Sequence, residues 1–338
     1  MSIKNRYEFM YFVECVNGNP NGDPDMGNSP RIDPQDMHGL ISDVAVKRRI
    51  RNYVSSAYIK AGMNMVVQNA TNINKFIADA HEKSGADKKE KTKDKVDAAR
   101  EYMCKNYYDV RTFGAVLSTG ANAGQVRGPV QFTFLRSIDP VYSMDISITR
   151  MSVTDKVKEN ASFAEIEKWE SEQDADKLRT MGRKQLIPYG LYAGRGFVSA
   201  NLSEDTGFDE EDLKILWEAI LQMYEHDRSA SKGLMSVPAL VIFRHTGTDS
   251  NEEQRTRQAK LGCAPAHKLF ELISVEKKDG IEYPRSLQDY EFRIDLESVP
   301  KGVDVGFVTS GAEGINTEWN EVSEDNIFKL FCRNNNHE

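Results

Sequence analysis

The sequence predicts an α+β fold whose core elements follow the order β-α-β-β-α-β. Two patterns lead to this prediction. Four segments alternate apolar and polar side chains or form short apolar runs, as strands do, and two longer segments repeat apolar residues every three or four positions, as helices do. With 338 residues, of which 39% are hydrophobic and 28% charged, the chain has the composition of a globular protein with one elaborated domain or two smaller ones.

The first predicted strand spans residues 6–16, where aromatic and β-branched residues occupy alternate positions. Residues 17–25 then read Asn-Gly-Asn-Pro-Asn-Gly-Asp-Pro-Asp. This composition breaks both helix and strand, because Pro lacks a backbone donor and Gly and Asn tolerate positive φ. The segment therefore predicts an irregular loop directly after the first strand.

A helix is predicted from about residue 37 to residue 58, with one apolar face. At 100° per residue, Lys47, Arg48 and Arg51 fall on an arc beside that face, and Arg49 is predicted to point elsewhere. The stretch 37–60 carries five cations and one anion. One helix thus combines a core face with a cationic face.

The remaining elements follow in order along the chain. Residues 61–108 predict a polar helical insertion, and residues 141–184 a polar excursion, a long hairpin with a helical tip near 163–169. The second strand is predicted at 130–135, the third at 186–200 with a turn at 194–196, the second helix after an N-cap at Asp209, the fourth strand at 237–243, and a further strand at 290–296. This order is the ferredoxin-like one, which the RNA-recognition fold shares with a sheet open on one face.

Charge is distributed unevenly along the chain. The net charge is −8, and residues 271–338 hold 15 acidic and 7 basic residues, so the rest of the chain is neutral overall. Because local potential rather than total charge attracts a polyanion, the basic helix remains compatible with nucleic-acid binding. The acidic tail is expected to limit nonspecific binding or to meet a partner, and a merely solvated acidic surface is the alternative.

Several classes of site are disfavoured. Cys15, Cys104, Cys263 and Cys332 are far apart and form no CxxC pair, so neither a zinc site nor a disulfide framework is expected, and a reducing cytoplasm fits best. No apolar run approaches the ~20 residues that span a bilayer, and the first residues do not form a secretory signal. We expect no membrane association and no cofactor.

Metal-dependent chemistry has two weak candidates. The series Asn17, Asn19, Asn21 resembles the start of an EF-hand loop, but Asn28 stands where that loop needs a bidentate Glu, so no metal is expected there. Asp23, Asp25 and nearby aspartates could hold a divalent ion, although such residues more often form turns and helix caps. No Walker A loop, GxSxG motif or metal-ligand spacing of histidines accompanies them.

Other segments add to the nucleic-acid hypothesis. Arg127 in Arg-Gly-Pro and Arg195 in Gly-Arg-Gly each stand between small or rigid residues, where a phosphate could approach closely. Arg228 begins a stretch with two cations and two serines at the end of the second helix. Each is compatible with a plain turn, and their joint occurrence around a ferredoxin-like core favours a nucleic-acid surface.

Together these motifs resemble the major backbone subunit of the type I-C CRISPR-associated surveillance complex, Cascade, within the repeat-associated RNA-binding superfamily. The matching segments run in order over most of the chain from about residue 6 to 245: 19–25 (NPNGDPD), 30–33 (PRID), 42–51 (SDVAVKRRIR), 109–117 (DVRTFGAVL), 128–132 (GPVQF), 147–150 (SITR), 181–184 (MGRK), 189–192 (YGLY) and 226–230 (HDRSA). The first is highly specific and the short Gly-containing ones are weak singly. Lys232 is a departure, since the family pattern predicts Arg there, and Lys keeps the charge but loses the bidentate fork.

The resemblance implies a hand-like single domain, residues 1–338. Its parts are a palm core (6–60, 109–140 and 186–246), a finger-like insertion (61–108), a thumb-like insertion (141–185) and a C-terminal extension (247–338). The implied protein is a non-catalytic component of prokaryotic antiviral defence. Copies polymerise along one CRISPR RNA as a filament, and the exposed guide bases pair with a target DNA strand beside other Cascade subunits.

The resemblance and the charge pattern together nominate RNA-binding residues. The set is Asn17, Asn19, Asn21, Ser42, Lys47, Arg48, Arg51, Arg127, Thr149, Arg150, Arg195 and Arg228. Two rival hypotheses stay open. One is a metal-dependent endoribonuclease that uses loop aspartates such as Asp23, Asp25 and Asp33, and the other is a generic RNA-binding module that does not assemble.

Overall fold

The structure, a computed structural model, describes residues 1–154, 157–309 and 316–319, with side chains described up to residue 306. Cys332 and much of the predicted acidic tail lie outside the described residues. The strands are β1 (Tyr7–Gly18), β2 (Gly22–Asp23), β3 (Ser29–Pro30), β4 (His38–Ile41), β5 (Gly114–Val116), β6 (Gln125–Arg127), β7 (Val130–Phe132), β8 (Leu135–Pro140), β9 (Met144–Arg150), β10 (Thr180–Val198), β11 (Leu234–His245), β12 (Ile273–Lys277), β13 (Tyr290–Ile294), β14 (Val303–Thr309) and β15 (Asn316–Trp319). The α-helices are α1 (Asp43–Ala57), α2 (Asn74–Lys83), α3 (Thr92–Asn106), α4 (Tyr108–Phe113), α5 (Phe163–Ser171), α6 (Ala200–Thr206), α7 (Glu210–Gln222), α8 (Glu252–Leu261) and α9 (Ala266–Phe270).

The predicted α+β core is confirmed. The main sheet has the order β15-β14-β11-β1-β10-β8-β4, and β7 and β9 also pair with β10. The predicted core elements correspond to β1, α1, β7 with β8, β10, α7 and β11, so the four core strands lie in the order four-one-three-two. Antiparallel pairing of β10 between β1 and β8 is the split βαβ arrangement of the ferredoxin-like fold.

Helices α1 and α7 cover one face of this sheet. Alternate residues of β1, including Phe9, Tyr11 and Val13, belong to the same buried cluster as Val46 and Ile50 of α1. Helix α1 is joined to α7 because Glu218 accepts hydrogen bonds from the hydroxyls of two α1-side tyrosines at 2.6 and 2.7 Å. The apolar stripes read from the sequence are therefore the faces that pack on the sheet.

The predicted turn at residues 194–196 is wrong, because β10 runs without interruption through it. Both glycines face aromatic rings of β1. A Cβ on Gly196 would lie 2.0 Å from the Phe9 ring, and one on Gly194 would lie 2.6 Å from the Tyr11 ring. These glycines make room for rings across the sheet rather than bending the chain.

The predicted start of the first helix near residue 37 is also wrong. Residues His38–Ile41 form strand β4 at the edge of the sheet, and α1 begins only after Ser42, whose hydroxyl accepts the Ala45 N–H as an N-cap. Met37 has a positive φ of 63°, which ends any helical path before β4. The short edge strand was hidden because Gly39 gives it no alternating pattern.

The second face of the sheet is not open, contrary to the prediction taken from the RNA-recognition fold. Met10 and Phe12 of β1 pack in a second buried cluster with Phe270, Tyr290 and Phe292 of the C-terminal extension. The phenyl rings of Phe12 and Phe292 meet edge to face at 5.4 Å. Phe12 and the other buried aromatic residues of this face are thus covered by protein and cannot stack on bases, whereas Phe197 on β10 is only partly buried.

Two structures project from this core. Helices α2 and α3 enclose a cluster of their own around Ile77, Ala99 and Met103. Strand β9 pairs with the first half of β10, from Thr180↔Arg150 to Leu186↔Met144, and forms a two-stranded ribbon that we call the arm. The predicted helical tip is confirmed as α5. Among the described residues, no helix has the length and apolar character needed to cross a membrane.

A buried ion pair ties the α2–α3 region to α7. The Arg111 guanidinium donates to both carboxylate oxygens of Asp212 at 2.7 Å and to the carbonyl oxygen of Gly62 at 2.5 Å. Both partners of the ion pair are buried, with side chains 10% and 5% exposed. The conspicuous Asp-Val-Arg sequence at 109–111 is therefore a joint between elements.

We expect Arg111→Ala to lower the free energy of unfolding by about 3–5 kcal/mol, because it leaves the Asp212 carboxylate buried without its partner. Urea unfolding followed by tryptophan fluorescence measures this loss. Arg100→Ala is the control, because the ion pair of Arg100 with Asp97 is exposed and its removal is expected to change little. Equal losses in the two variants would contradict the role assigned to Arg111.

Candidate nucleic-acid interface

The loop after β1 is fixed to the N-terminus of α1. The Asn21 side-chain oxygen accepts hydrogen bonds from both the backbone N–H and the hydroxyl of Ser42, each at 2.9 Å. Ser42 in turn caps α1 through Ala45. These two predicted RNA-binding side chains are therefore occupied in holding the loop against the helix.

The other two loop asparagines, Asn17 and Asn19, differ in their exposure to solvent. Asn19 is buried and donates from its side-chain nitrogen to the carbonyl oxygen of Asn28 at 2.6 Å, while its backbone N–H donates to Ser231 at 2.8 Å. Asn17 is exposed at the end of β1 with φ of 49°. Of the three asparagines, Asn17 presents its side chain to solvent.

Arg49 joins three segments beneath this loop. Its guanidinium donates to the carbonyl oxygens of Ala45 at 3.0 Å and Pro20 at 3.2 Å. Its Nε lies 3.4 Å from a carboxylate oxygen of Asp227, which also pairs with Lys232. The side chain is 9% exposed. One buried cation therefore holds the 17–25 loop, α1 and the 226–233 loop together.

The Arg49 guanidinium also lies 5.0 Å from the centre of the Tyr224 ring at the end of α7. Burial raises the pKa of Tyr224 to about 12, and the Arg49 charge acts in the opposite direction. The phenol is consequently neutral at physiological pH and presents its ring to the cation.

Lys47 and Arg51 both lie against the ring of Phe113. Their charged groups are 5.9 and 5.2 Å from the ring centre. Arg51 also donates to Asp109 at 2.9 Å and is 12% exposed, while Lys47 pairs with Asp43 at 3.0 Å and is 16% exposed. Arg51 is thus mainly structural, because its partner Asp109 is buried, whereas Asp43, the partner of Lys47, is partly exposed.

Arg48 differs from the other cations of α1. It is exposed, and its described contact is a 3.3 Å hydrogen bond from Nε to the Asn52 side chain. An anion that binds a guanidinium must compete with any carboxylate already there, so the arginines that no carboxylate contacts are the better phosphate ligands. Among the described contacts, Arg48 belongs to that group with Arg127, Arg150 and Arg195.

The three weaker candidates occupy different places. Arg228 is exposed and paired with Glu225 after α7. Arg127 on β6 is exposed, and no hydrogen-bond or ionic partner is found for it among the described residues. Arg195 on β10 is exposed and lies 5.6 Å over the Phe270 ring on the sheet face away from α1. Arg195 therefore does not join the α1 surface, and Arg127 lies opposite Gly114 in the β5–β6 pair.

The two candidate residues of the arm, Thr149 and Arg150, lie on opposite faces of the ribbon. Directly opposed residues of an antiparallel pair share a face, and successive residues alternate. Arg150 is thus on the face of Ile146 and Ile148, and Thr149 on the face of Met181. Arg150 donates to the carbonyl oxygen of Ser152 at 3.0 Å.

The loop aspartates are engaged as turn formers. Asp23 accepts from Arg31 at 3.0 Å and caps the next turn, and Asp33 accepts from Arg136 at 3.0 Å. The Gln35 N–H and then the Arg136 guanidinium lower the pKa of Asp33 below its usual value. Within the described residues, no cluster of three or more His, Cys, Asp or Glu side chains could hold a metal ion.

Three chain segments thus meet in one surface, which we call the α1 surface. It consists of the 17–25 loop, the exposed side of α1 with Lys47 and Arg48, and the 226–233 loop. The sequence argument missed the buried position of Arg49. Helical spacing would have revealed it, because Arg49 lies three residues after Val46 and four before Tyr53, both on the core face.

We expect Arg49→Ala to destabilise the fold by about 2–4 kcal/mol, because it leaves the buried Pro20 carbonyl without its donor and removes the buried cation between Asp227 and the Tyr224 ring. Backbone hydrogen exchange of residues 19–31 should rise. Arg48→Ala is the matched control from the same turn and should change stability by less than about 0.5 kcal/mol. Unchanged exchange in Arg49→Ala would show that the loop is held by other contacts.

Comparison with known proteins places this geometry in a family. The model of the family described as CRISPR-associated protein Cas7 matches residues 5–295. A curated CRISPR-associated protein Cas7 from Haloferax volcanii is 26% identical over 242 residues, which is 65% of this chain, and the chain spans 65% of that relative's length.

Two solved chains share a weaker likeness. A chain of a structure titled CRISPR RNA-guided surveillance complex has a TM-score of 0.45 and 14% identity, with 97% of this chain and 99% of the other covered. A chain of a pre-nicking CRISPR RNA-guided surveillance complex has a TM-score of 0.44 and 12% identity, with 77% and 84% covered. The family match spans most of the chain, and the protein belongs to the CRISPR-associated Cas7 family.

Proposed function

We propose that this protein is the RNA-binding backbone subunit of a type I-C Cascade complex, acting in antiviral defence without a catalytic role. Copies line up along one CRISPR guide RNA, beside other Cascade subunits, and leave guide bases free to pair with a target DNA strand. The observation that carries the proposal is the α1 surface, where Arg48, unpaired with any carboxylate among the described contacts, stands beside Lys47 on a rigid three-segment support.

Phosphate binding is the chemistry that this surface supports best. Arg48 offers a guanidinium that needs no carboxylate to be displaced, and a phosphate that approaches Lys47 competes only with partly exposed Asp43. The Asn17 side chain is exposed at the rim and can donate to a phosphate or ribose oxygen. Contacts of this kind position a strand without reading its sequence.

The closed second face of the sheet supports the same proposal. In the RNA-recognition fold, sheet aromatics stack on bases. Here Phe12 and its neighbours are packed under Phe292 and Tyr290, so bases find no stacking platform on the sheet. A guide held by its phosphates keeps its base edges available, and recognition is left to base pairing.

The arm supplies a separate contact surface. On one face, Ile146 and Ile148 are each 40% exposed, and a Cβ on Gly182, opposite Ile148, would meet no atom within 4 Å. Lys184 and Arg150 stand at the two ends of this apolar patch. An apolar platform between cations suits a nucleotide, whose base packs on the platform while its phosphate meets a cation.

We expect Lys47→Ala with Arg48→Ala to weaken guide RNA binding and to reduce the salt dependence of binding by roughly 0.7 in slope per lost phosphate contact. Fluorescence anisotropy with labelled RNA at several salt concentrations measures the slope. Arg100→Ala is the exposed control. An unaltered slope in the double variant would refute the α1 assignment.

Arg51 requires a separate test because of its place in the fold. Arg51→Ala should mainly reduce thermal stability, since it removes a donor from the buried Asp109 carboxylate. Its salt slope is expected to stay near that of the parent protein. A full slope change with unchanged stability would make Arg51 a phosphate ligand instead.

For the arm, we expect Ile148→Ser with Lys184→Ala to weaken RNA binding severalfold, while Thr149→Ala with Met181→Ala on the opposite face leaves it unchanged. Lys184 is partly buried and the other three residues are exposed, so the fold should be preserved, which circular dichroism checks. The reverse ranking would assign nucleic-acid contact to the Thr149 face.

Two further measurements test the rival hypotheses, a non-assembling RNA-binding module and an endoribonuclease. Sizing by light scattering with a long guide RNA should give particles with several copies of the chain per RNA, whereas a non-assembling module gives one copy per short site. Incubation of bound target RNA with magnesium should leave it intact. Cutting that Asp25→Ala abolishes would establish the endoribonuclease alternative.

A further inference from the structure

A second basic groove lies on the sheet face opposite α1. Along β10, Gly194, Gly196 and Val198 face the helices, so Arg195 and Phe197 point to the other side. Two adjoining cavities of about 400 and 730 Å³ open there, and Phe197 lines both. We call this continuous feature the β10 groove.

The walls of the β10 groove come from regions far apart in sequence. Arg127 and Gln131 line the smaller cavity together with Lys260 and Leu261 at the end of α8. At the other end, Arg195 and Phe270 of α9 form the lining. A core strand, the β6–β7 edge and the C-terminal helices thus meet to build it.

The lining is strongly cationic for a chain of net charge −8. Four cations line the groove, against the single carboxylate of Glu271, which Lys268 already engages at 2.7 Å. They are Arg6, Arg127, Lys260 and Arg195. Such a concentration creates a local positive potential that attracts polyanions.

Two of these cations are available to an anion. For Arg127 no ionic or hydrogen-bond partner is found among the described residues, and Arg195 is held only over the Phe270 ring. Arg6 and Lys260 are already paired with Glu8 and Glu204. Arg127 and Arg195 therefore carry the binding capacity of the groove.

The separation of the two available guanidiniums indicates the shape of the ligand. Arg195 lines the cavity of about 730 Å³ and Arg127 lines the one of about 400 Å³, so a ligand that meets both guanidiniums has to pass from one cavity to the other along Phe197. An extended polyanion can reach both, and a small anion cannot. The exposed Arg257, one turn before Lys260 and Leu261 on the same face of α8, continues the positive lining toward the surface.

We propose that the β10 groove binds a single-stranded nucleic acid, with its phosphates on Arg127 and Arg195, at a site distinct from the α1 surface. The main sheet lies between Arg195 and the helices, so one chain holds two strands or two distant stretches of one strand. The site stands whether or not the α1 surface holds the guide, because it shares no residue with it.

The experiment compares two double variants with two probes. The probes are the labelled guide RNA and a labelled oligothymidylate, the latter added to protein already saturated with unlabelled guide. Arg127→Ala with Arg195→Ala should weaken oligothymidylate binding about tenfold, lower its salt slope by roughly 1.4, and leave guide binding unchanged. Lys47→Ala with Arg48→Ala should weaken guide binding and leave oligothymidylate binding unchanged.

Control variants test whether the loss of charge at the groove, and not unfolding, accounts for the weaker binding. Arg195→Lys keeps the charge over Phe270 and should retain most of the binding, and Arg100→Ala should bind like the parent. Thermal unfolding confirms that each variant is folded. If the groove variant loses guide binding and oligothymidylate binding by the same factor, the two surfaces form a single continuous site and the proposal is overturned.

Two more outcomes are decisive. If polyglutamate of matched charge displaces oligothymidylate equally well, the groove is a surface for an acidic protein and the nucleic-acid proposal fails. If the α1 variant keeps full guide binding while the groove variant loses oligothymidylate, the proposed guide site is wrong and the β10 groove remains.

Discussion

The buried guanidinium of Arg49 is the interaction on which the candidate surface depends. It meets the backbone of the loop after β1, the first turn of α1 and the Asp227 carboxylate at one point. A loop of Asn, Gly and Pro residues has little intrinsic structure, and a buried charge with several partners gives it one conformation. Arg48, the neighbouring residue, is left exposed because the helix turns it away from the same joint.

The second constraint is the closure of both sheet faces. Helices α1 and α7 cover one side, and the segment from Cys263 to Val299 covers the other. The C-terminal segment is further fixed by the buried His245 ring, whose Nδ1 accepts from the Cys263 N–H at 2.8 Å and whose Nε2 lies 2.5 Å from a Glu8 carboxylate oxygen. Both faces of the main sheet are therefore packed against protein, and the β10 groove beside Phe197 is the opening described on the face away from α1.

The partners of each cation decide how much positive charge a basic sequence presents to solvent. The run Lys47-Arg48-Arg49-Ile50-Arg51 has four positive charges, yet two of the three arginines are consumed inside the protein by Asp227 and Asp109. Buried ion pairs of this kind fix the arrangement of elements, because breaking one leaves an uncompensated charge. The positive charge that α1 presents to solvent is therefore smaller than the sequence suggests, and fewer side chains carry it.

The sequence by itself determined the α+β class, the order of the core elements, the helical tip near 163–169 and the family resemblance. These follow from periodicity and motif order, which are local properties. The strand at His38–Ile41, the uninterrupted β10 and the covered sheet face were decided only by tertiary structure. Gly194 and Gly196 look like turn residues until the rings of Tyr11 and Phe9 occupy the space beside them. Helical spacing alone places Arg49 on the core face of α1, but its acceptor, the Pro20 carbonyl, lies in a loop 29 residues earlier. Partners distant in sequence set the edge strand, the covered face and this acceptor, so no window along the chain contains that information.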